Sequence, residues 1–284
     1  MLYIYGTCYN NAIRIRKSIL SLNKIEMEKK FLIVDNYSND GTYEELTRLK
    51  LELNIEVSRR HCSRGLGRQL AMNMAFESSR KNDIFMYFDS DTDYTEEFCE
   101  FVKQIISEKL TNGRVFVQGI CSKEVNFKVP WRNLNSHEDV ERYSRFLKEG
   151  YKIIRLTPHD RLSIIHNEYI INTDREKRYA KSFNYFSRSI RNIVDALMAE
   201  GISKIGDLRQ FTKYFNFKRR FSPVLLVSFL IMKVIGITYR YDSEINWVFL
   251  NKNSFYITLN DLSINNNYSE NYLDPRVWYG QNHP

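Results

Sequence analysis

Asp89 and Asp91 stand two residues apart at the end of an apolar run, Ile84-Phe85-Met86-Tyr87-Phe88. The run reads as a buried strand that stops abruptly at a pair of carboxylates. In an extended chain residues i and i+2 point the same way, roughly 6.6 Å apart. Both carboxylates would then aim at one point beyond the strand's carboxyl end, the edge where open α/β sheets bind ligands. One or two carboxylates plus substrate phosphates are the usual ligand set for Mg²⁺ or Mn²⁺. A lone Asp-x-Asp also serves in turns and helix caps, so its chemistry depends on what else reaches the same edge.

Three further segments sit where earlier strands should end. Thr7-Cys8-Tyr9-Asn10-Asn11 supplies a hydroxyl, an aromatic face and amides after the first apolar run. The competing reading is an ordinary turn with an Asn cap on the next helix. Asp35 ends the run Phe31-Leu32-Ile33-Val34, and a carboxylate there can accept the N–H of a nucleobase, a contact that discriminates between bases. Asp40-Gly41-Thr42 suits a turn and a helix start. Arg64-Gly65-Leu66-Gly67-Arg68-Gln69 leads into a helix carrying Asn73. Its glycines allow close backbone approach and its arginines can meet a phosphate, although the spacing matches neither a Walker loop nor the dinucleotide fingerprint.

The elements that must position these segments alternate. Strand signals fall at residues 2–5, 31–34, 55–57, 84–88 and 115–117, with helical spacing over 12–22 and 70–79 between them. Thr42-Tyr43-Glu44-Glu45 has the form of a capping box opening a helix, and Glu96-Glu97 suits the positive end of another. Such alternation predicts βαβ units and a mostly parallel sheet. Beyond residue 122 it fails. Residues 122–136 read as a loop, 138–148 as a helix, 151–156 as a strand and 173–199 as long helical segments; the last 24 residues read as irregular.

The length of 284 residues allows a sizeable core without staples, and 42 Lys+Arg against 34 Asp+Glu give a net charge of +8. That charge suits an anionic partner of any kind. The four cysteines contain no Cys-x-x-Cys pair, which argues against a zinc ribbon or redox pair. With no leader pattern ahead of the first strand, a cytoplasmic setting is expected.

In order and spacing, residues 1–120 resemble family-2 glycosyltransferases. The resemblance runs through Tyr3 to Asn11, the Val34-Asp35-Asn36-Tyr37-Ser38-Asn39-Asp40-Gly41-Thr42 stretch, Arg64 to Asn73, and Asp89-Ser90-Asp91. It implies an α/β fold of the GT-A, Rossmann-like type: a mostly parallel central sheet flanked by helices, here with a helical C-terminal extension. It also implies a nucleoside-diphosphate sugar donor and Mn²⁺ or Mg²⁺ as cofactor. Asp35 would contact the base, with Thr7 and Tyr9 lining its pocket. Arg64 or Arg68 would lie near the nucleotide, Asp89 near the ribose or metal shell, and Asp91 on the metal. Asn36 departs from the pattern, where the family often has a second Asp.

A second match is His137-Glu138-Asp139-Val140-Glu141 followed by Lys148-Glu149-Gly150-Tyr151-Lys152-Ile153. In inverting relatives the Asp of this pair is the general base, which points to Asp139, with Glu138 supporting it or binding acceptor. The competing reading is a helix N-terminus favoured by its dipole. By the same resemblance His166 is either a metal ligand or diphosphate contact, or structural. Trp131 and Arg132, just before this match, either stack on or clamp a sugar or phosphate, or Trp131 packs in the core or a lid.

The implied organisation is a nucleotide-sugar-binding half at 1–120, an acceptor half with the base at 121–200, and an apolar, helical extension at 201–284. Within the last, 223–237 follows Lys218-Arg219-Arg220 and reads as an interfacial helix, a buried helix or a span. The first of these would give peripheral contact through 218–237 at the cytoplasmic face of a membrane. The expected acceptor is a hydroxyl of a glycan, a lipid-linked saccharide or a protein. A polyprenyl-phosphate sugar synthase is the near alternative. A basic nucleic-acid-binding module is the distant one; nucleic acid is not expected as a partner, because no such signature is present and acidic residues sit where the loops converge.

Overall fold

The computed structural model describes residues 1–156, 190–199, 223–235 and 247–250. His166, Lys218-Arg219-Arg220, most of the predicted 173–199 helices and the C-terminal tail lie outside the described residues.

Apolar runs alternate with amphipathic helices through the first hundred residues, and they fold accordingly. Strand β1 (Leu2–Cys8) is followed by α1 (Ala12–Asn23), β2 (Lys29–Asp35), α2 (Thr42–Leu49) and β3 (Ile55–Arg59). Helix α3 (Arg64–Asn73), β4 (Ile84–Tyr87) and α4 (Glu96–Ser107) come next. The main sheet has the order β3-β2-β1-β4, with β6 (Cys121–Ser122) at its edge. Its first three pairings are parallel and the last is antiparallel.

Successive side chains of a strand face opposite sides, and both sides are covered. Leu2, Ile4, Ile33 and Met86 pack with Ile15 and Ile19 of α1, Leu46 of α2 and Val102 of α4. Tyr3, Tyr5, Leu32 and Phe85 pack with Met72 of α3 and with α6 (Glu138–Lys148) through Tyr143 and Phe146. Burial on both faces explains why these strands read as continuous apolar runs. The mostly parallel, helix-flanked sheet predicted from the sequence is the sheet observed.

Several local expectations need correction. The fifth strand, β5 (Arg114–Phe116), leaves the main sheet and pairs in parallel with β7 (Lys152–Leu156), which pairs in turn with β8 (Trp247–Leu250). The stretch read as a loop contains β6 and a short helix, α5 (Lys123–Lys128). Thr42 makes no capping box. Gly41 holds the N-cap at φ 94°, and the Asp40 carboxylate accepts the N–H groups of Thr42 and Ala12 at 3.1 and 3.0 Å, fastening two helix starts together. The Arg-Gly-Leu-Gly segment is the first turn of α3 itself, because the Ser63 hydroxyl accepts the Leu66 N–H at 3.1 Å and caps it.

Two more helices follow, α7 (Ile190–Ala199) and α8 (Pro223–Ile235). Helix α8 packs on α7. It buries Leu225, Ser228, Phe229 and Met232 and exposes Leu226, Val227, Leu230, Ile231 and Val234. Among the described residues no helix is long and apolar enough to cross a membrane.

Candidate active site

Parallel pairing brings the ends of β1, β2, β3 and β4 to one edge, and each ends on residues that can do chemistry. Thr7 donates from Oγ1 to the Val34 carbonyl at 2.9 Å, which turns its hydroxyl into the sheet edge. Gly67 lets α3 close on it: a Cβ there would lie 2.4 Å from Thr7 Oγ1. The glycines serve helix packing, and Tyr9, 58 % exposed, stands at the open rim.

Asp35 is fully buried. Its carboxylate accepts the Ser38 N–H and hydroxyl at 3.1 and 2.5 Å and the Arg59 Nε–H at 3.0 Å, with the Cys8 thiol 3.7 Å away. Those contacts use most of the lone-pair directions of a carboxylate. In this arrangement Asp35 ties the 36–41 loop to β3, and a base reaching it directly would displace one of these partners. Arg59 also donates to the Ser38 carbonyl at 2.6 Å and lies over the rings of Tyr43 and Tyr37, at 4.4 and 5.2 Å. Tyr37 stacks on His61, with centroids 4.0 Å apart. Asn36 accepts the Cys62 N–H through its amide oxygen at 3.1 Å, a contact that a carboxylate there would also serve. Burial and the neighbouring Asp35 charge hold the Cys8 thiol well above its ordinary pKa, so it takes part as a neutral group.

Asp89-Ser90-Asp91-Thr92 is a turn rather than an extension of β4. The Thr92 N–H bonds to the Asp89 carbonyl at 3.1 Å, so the placement of the two carboxylates follows from the turn and not from strand alternation. Helix α1 and the following loop pin this turn. Asn11 Nδ2 donates to the Ser90 carbonyl at 2.5 Å, the Ser18 hydroxyl donates to the Asp89 carbonyl at 3.0 Å, and the Asp89 N–H donates to the Tyr94 hydroxyl at 2.9 Å. Asp93, which extends the acidic run, is paired with Lys17.

The second half meets this edge through one buried cation. Arg68 donates from one terminal nitrogen to Asp89 Oδ1 at 2.6 Å and from the other to Glu138 Oε1 at 2.8 Å. Its guanidinium lies over Tyr87 and Trp131 at 4.5 and 4.8 Å. Burial alone would lower its pKa, but the two carboxylates outweigh burial and the net shift is upward, so the charge is permanent. Arg64 stands outside, 53 % exposed, with Nε 3.7 Å from the same Glu138 oxygen. Of the two arginines offered to the nucleotide, Arg64 faces solvent and Arg68 is enclosed.

Glu138 opens α6 and is 1 % exposed. Burial raises its pKa against the opposing pull of Arg64 and Arg68, and Oε2 is buried with no hydrogen-bond partner. Its enclosure fits support of the neighbouring residue rather than contact with an acceptor. Asp139 follows it in the first turn of α6 and is partly exposed.

Trp131 packs in the core instead of offering a stacking face. Its indole N–H reaches the Tyr5 hydroxyl at 3.1 Å, and its backbone N–H reaches Gln69 Oε1 at 2.7 Å. Arg132 pairs with Glu141 at 3.0 Å. Arg142, which the sequence did not single out, is among the largest fully buried side chains. It donates to the Val129 carbonyl at 2.7 Å, the Tyr5 hydroxyl at 2.8 Å, and both the Asn126 carbonyl and its side-chain oxygen at 2.7 Å. These bonds lock α6 to β1 and α5. Arg59 was also missed; its signal was a charge at a strand's carboxyl end.

The model of the family described as glycosyl transferase family 2 matches residues 4–165. The chain belongs to that family: it is a glycosyltransferase with the GT-A fold. Among solved structures it is similar to S. aureus TarS, at 16 % identity and a TM-score of 0.45 over 79 % of this chain and 55 % of that one. It is also similar to S. aureus TarS 1–349 in complex with UDP-GlcNAc, at 15 % identity and 0.45 over 88 % of this chain and 97 % of the other. A third is the mannosyltransferase PcManGT from Pyrobaculum calidifontis, in complex with GDP-Man and Mn²⁺, at 12 % identity and 0.41 over 82 % and 86 %. No curated protein matches the chain.

Proposed function

We propose that the protein transfers one sugar, with inversion, from a nucleoside-diphosphate donor to a hydroxyl of a glycan, lipid-linked saccharide or protein. The observation that carries this reading is the single guanidinium of Arg68 shared between the Asp89-Ser90-Asp91 turn and the Glu138-Asp139 helix start. It supports a reading in which a pair of carboxylates suited to a cation on the donor's diphosphate works beside a carboxylate suited to deprotonating an acceptor.

The donor's base lies against the β1 and β2 ends, among Thr7, Tyr9 and the Asp35–Arg59 pair, and Arg64 meets the nucleotide from the solvent side. Asp139 takes the proton from the acceptor hydroxyl as it attacks the anomeric carbon from the face opposite the leaving diphosphate. That role requires an approach to about 3 Å. Glu138 holds Asp139 through α6.

Among the described residues no three His, Cys, Asp or Glu side chains gather into a metal site. The donor set nevertheless fits Mn²⁺ or Mg²⁺, which are commonly held by one or two carboxylates plus substrate phosphates. Asp89 gives one oxygen to Arg68, so Asp91 is the principal protein ligand and Asp89 belongs to its shell. The cation, when bound, neutralises charge on the leaving diphosphate.

The exposed apolar face of α8 favours a second element of the reading. Leu226, Val227, Leu230, Ile231 and Val234 form one stripe, as an interfacial helix requires, which suits an acceptor carried on a lipid. A polyprenyl-phosphate acceptor shares that preference but arrives already ionised and has less need of Asp139.

The test is a panel of UDP- and GDP-sugars incubated with Mn²⁺ and no acceptor, read as nucleoside diphosphate released by slow hydrolysis. Release from at least one donor, abolished by EDTA, is expected. A protein that neither binds nor hydrolyses any donor in the panel would overturn the reading.

A further inference from the structure

We infer that Arg68 is a positioning residue that couples the donor-side carboxylate Asp89 to the acceptor-side carboxylate Glu138, so that the two halves of the site act as one unit. The inference deepens the function proposed above and rests on it.

Arg68 is cut off from solvent at 4 % side-chain exposure, and its two carboxylate partners lie 21 and 70 residues away in the chain. Taking a guanidinium out of water is costly unless charges and hydrogen bonds compensate. Packing between the Tyr87 and Trp131 rings would be met as well by an uncharged chain of similar length. What an uncharged chain cannot do is hold two carboxylates in two directions. A lysine cannot do so with a planar fork either, because its charge is a single point.

The two ends depend on the fork unequally. The Asp89 backbone is already fixed by Ser18, Tyr94 and Thr92. The Glu138 carboxylate receives one close bond, from Arg68 at 2.8 Å, and a longer contact from Arg64 at 3.7 Å, while its other oxygen meets no partner. Asp89 is therefore the anchor and Glu138 the group that is placed. Because Glu138 opens α6 beside Asp139, Arg68 ties the donor turn to the first turn of the helix that Arg142 fixes to β1 and α5 farther along.

The inference is tested on the full-length protein with the donor that wild type hydrolyses in the presence of Mn²⁺. Calorimetric binding of UDP and GDP and thermal melting serve as controls. R68K should lower kcat about tenfold or more while changing the donor KM less than about threefold, since the charge is kept and the fork is lost. D89N and E138Q should each slow hydrolysis, and the double variant should be about tenfold or more faster than the product of the two losses predicts. In an R68K background the same two changes should multiply to within about threefold.

Multiplicative losses with Arg68 in place, or an R68K enzyme with wild-type kcat, would overturn the inference while leaving the donor reading intact. If R68K does not fold, the D89N and E138Q cycle decides alone, since it leaves Arg68 untouched. A wild-type protein that neither binds nor hydrolyses any donor would overturn the reading of the site and this inference with it.

Discussion

Replacing Gly65 by alanine tests whether α3 and the 131–135 segment must touch for the site to form. A Cβ at Gly65 would lie 2.0 Å from the Arg132 carbonyl oxygen and 3.2 Å from that of Leu134. Ordinary contact begins near 3.4 Å, so the segment must retreat by 3.4 − 2.0 = 1.4 Å. A move of that size also opens the bond from the Gly65 N–H to the Leu134 carbonyl, now 2.9 Å. Overpacking of this kind costs about 1–3 kcal/mol, and an opened backbone bond about 0.5–1.5 kcal/mol. Against these stands up to about 1 kcal/mol from placing alanine instead of glycine in a helix. The net is about 0.5–3.5 kcal/mol, or roughly 1–14 °C in melting temperature at about 2–4 °C per kcal/mol. The collision lies in the segment that leads into Glu138 and Asp139, so donor hydrolysis should fall by more than the folded fraction at the assay temperature explains. Gly150 is the control. It has φ +82° and nothing within 4 Å, so Gly150→Ala should cost about 1–2 kcal/mol of backbone strain and leave turnover per folded molecule unchanged. A Gly65→Ala protein that melts within 1 °C of wild type and keeps its turnover would refute the close approach.

Asp35→Asn removes a buried charge that faces the one-third-exposed Arg59 and should destabilise the fold by about 1–3 kcal/mol, seen as a lower urea midpoint, and weaken donor binding as well; an unchanged midpoint would show the pair to be idle. Burial pushes the Cys121 thiol up to about 12 and the Cys99 thiol up to about 11, and holds Cys8 well above its ordinary value. Thiolate is therefore scarce at pH 8, and Ellman's reagent should find no more than one fast-reacting thiol, Cys62, in the native protein and four after unfolding; two or more fast thiols would contradict the packing. Val234 is 87 % exposed on α8, so Val234→Asp should change stability by less than about 0.5 kcal/mol while cutting co-sedimentation with phosphatidylglycerol vesicles about fivefold or more. Equal sedimentation would remove α8 as the membrane contact.

The sheet was legible because each central strand is apolar on both faces and ends on a polar residue, as at Val34-Asp35 and Phe88-Asp89. Those patterns are local and need no partner to be read. The exits of the strands were less legible. Arg64-Gly65-Leu66-Gly67 looks the same whether its glycines face a phosphate or a neighbouring backbone, and only the three-dimensional contact with Thr7 and Arg132 decides. Arg68 reads as a phosphate ligand for the same reason, because one of the carboxylates that enclose it is 70 residues away. Asp89-Ser90-Asp91 was read as extended chain beyond the strand because nothing local announces the turn closed by Thr92. Arg142 gave no signal: its oxygen acceptors are neutral groups supplied by Tyr5, Asn126 and Val129, a combination that composition and spacing do not encode. The Thr42 box failed because Asp40, two residues earlier, takes the Thr42 N–H and reaches Ala12 too, while the Glu45 N–H bonds to the Gly41 carbonyl.

The central claim is that donor and base are separate parts of one site, with Asp139 removing the acceptor's proton. The most direct measurement pairs calorimetric binding of the active nucleotide with turnover of its sugar donor in Asp139→Asn. The account predicts binding within about threefold of wild type and turnover lower by about a hundredfold or more, the lower range for loss of a general base. An Asp139→Asn enzyme with wild-type turnover would contradict it.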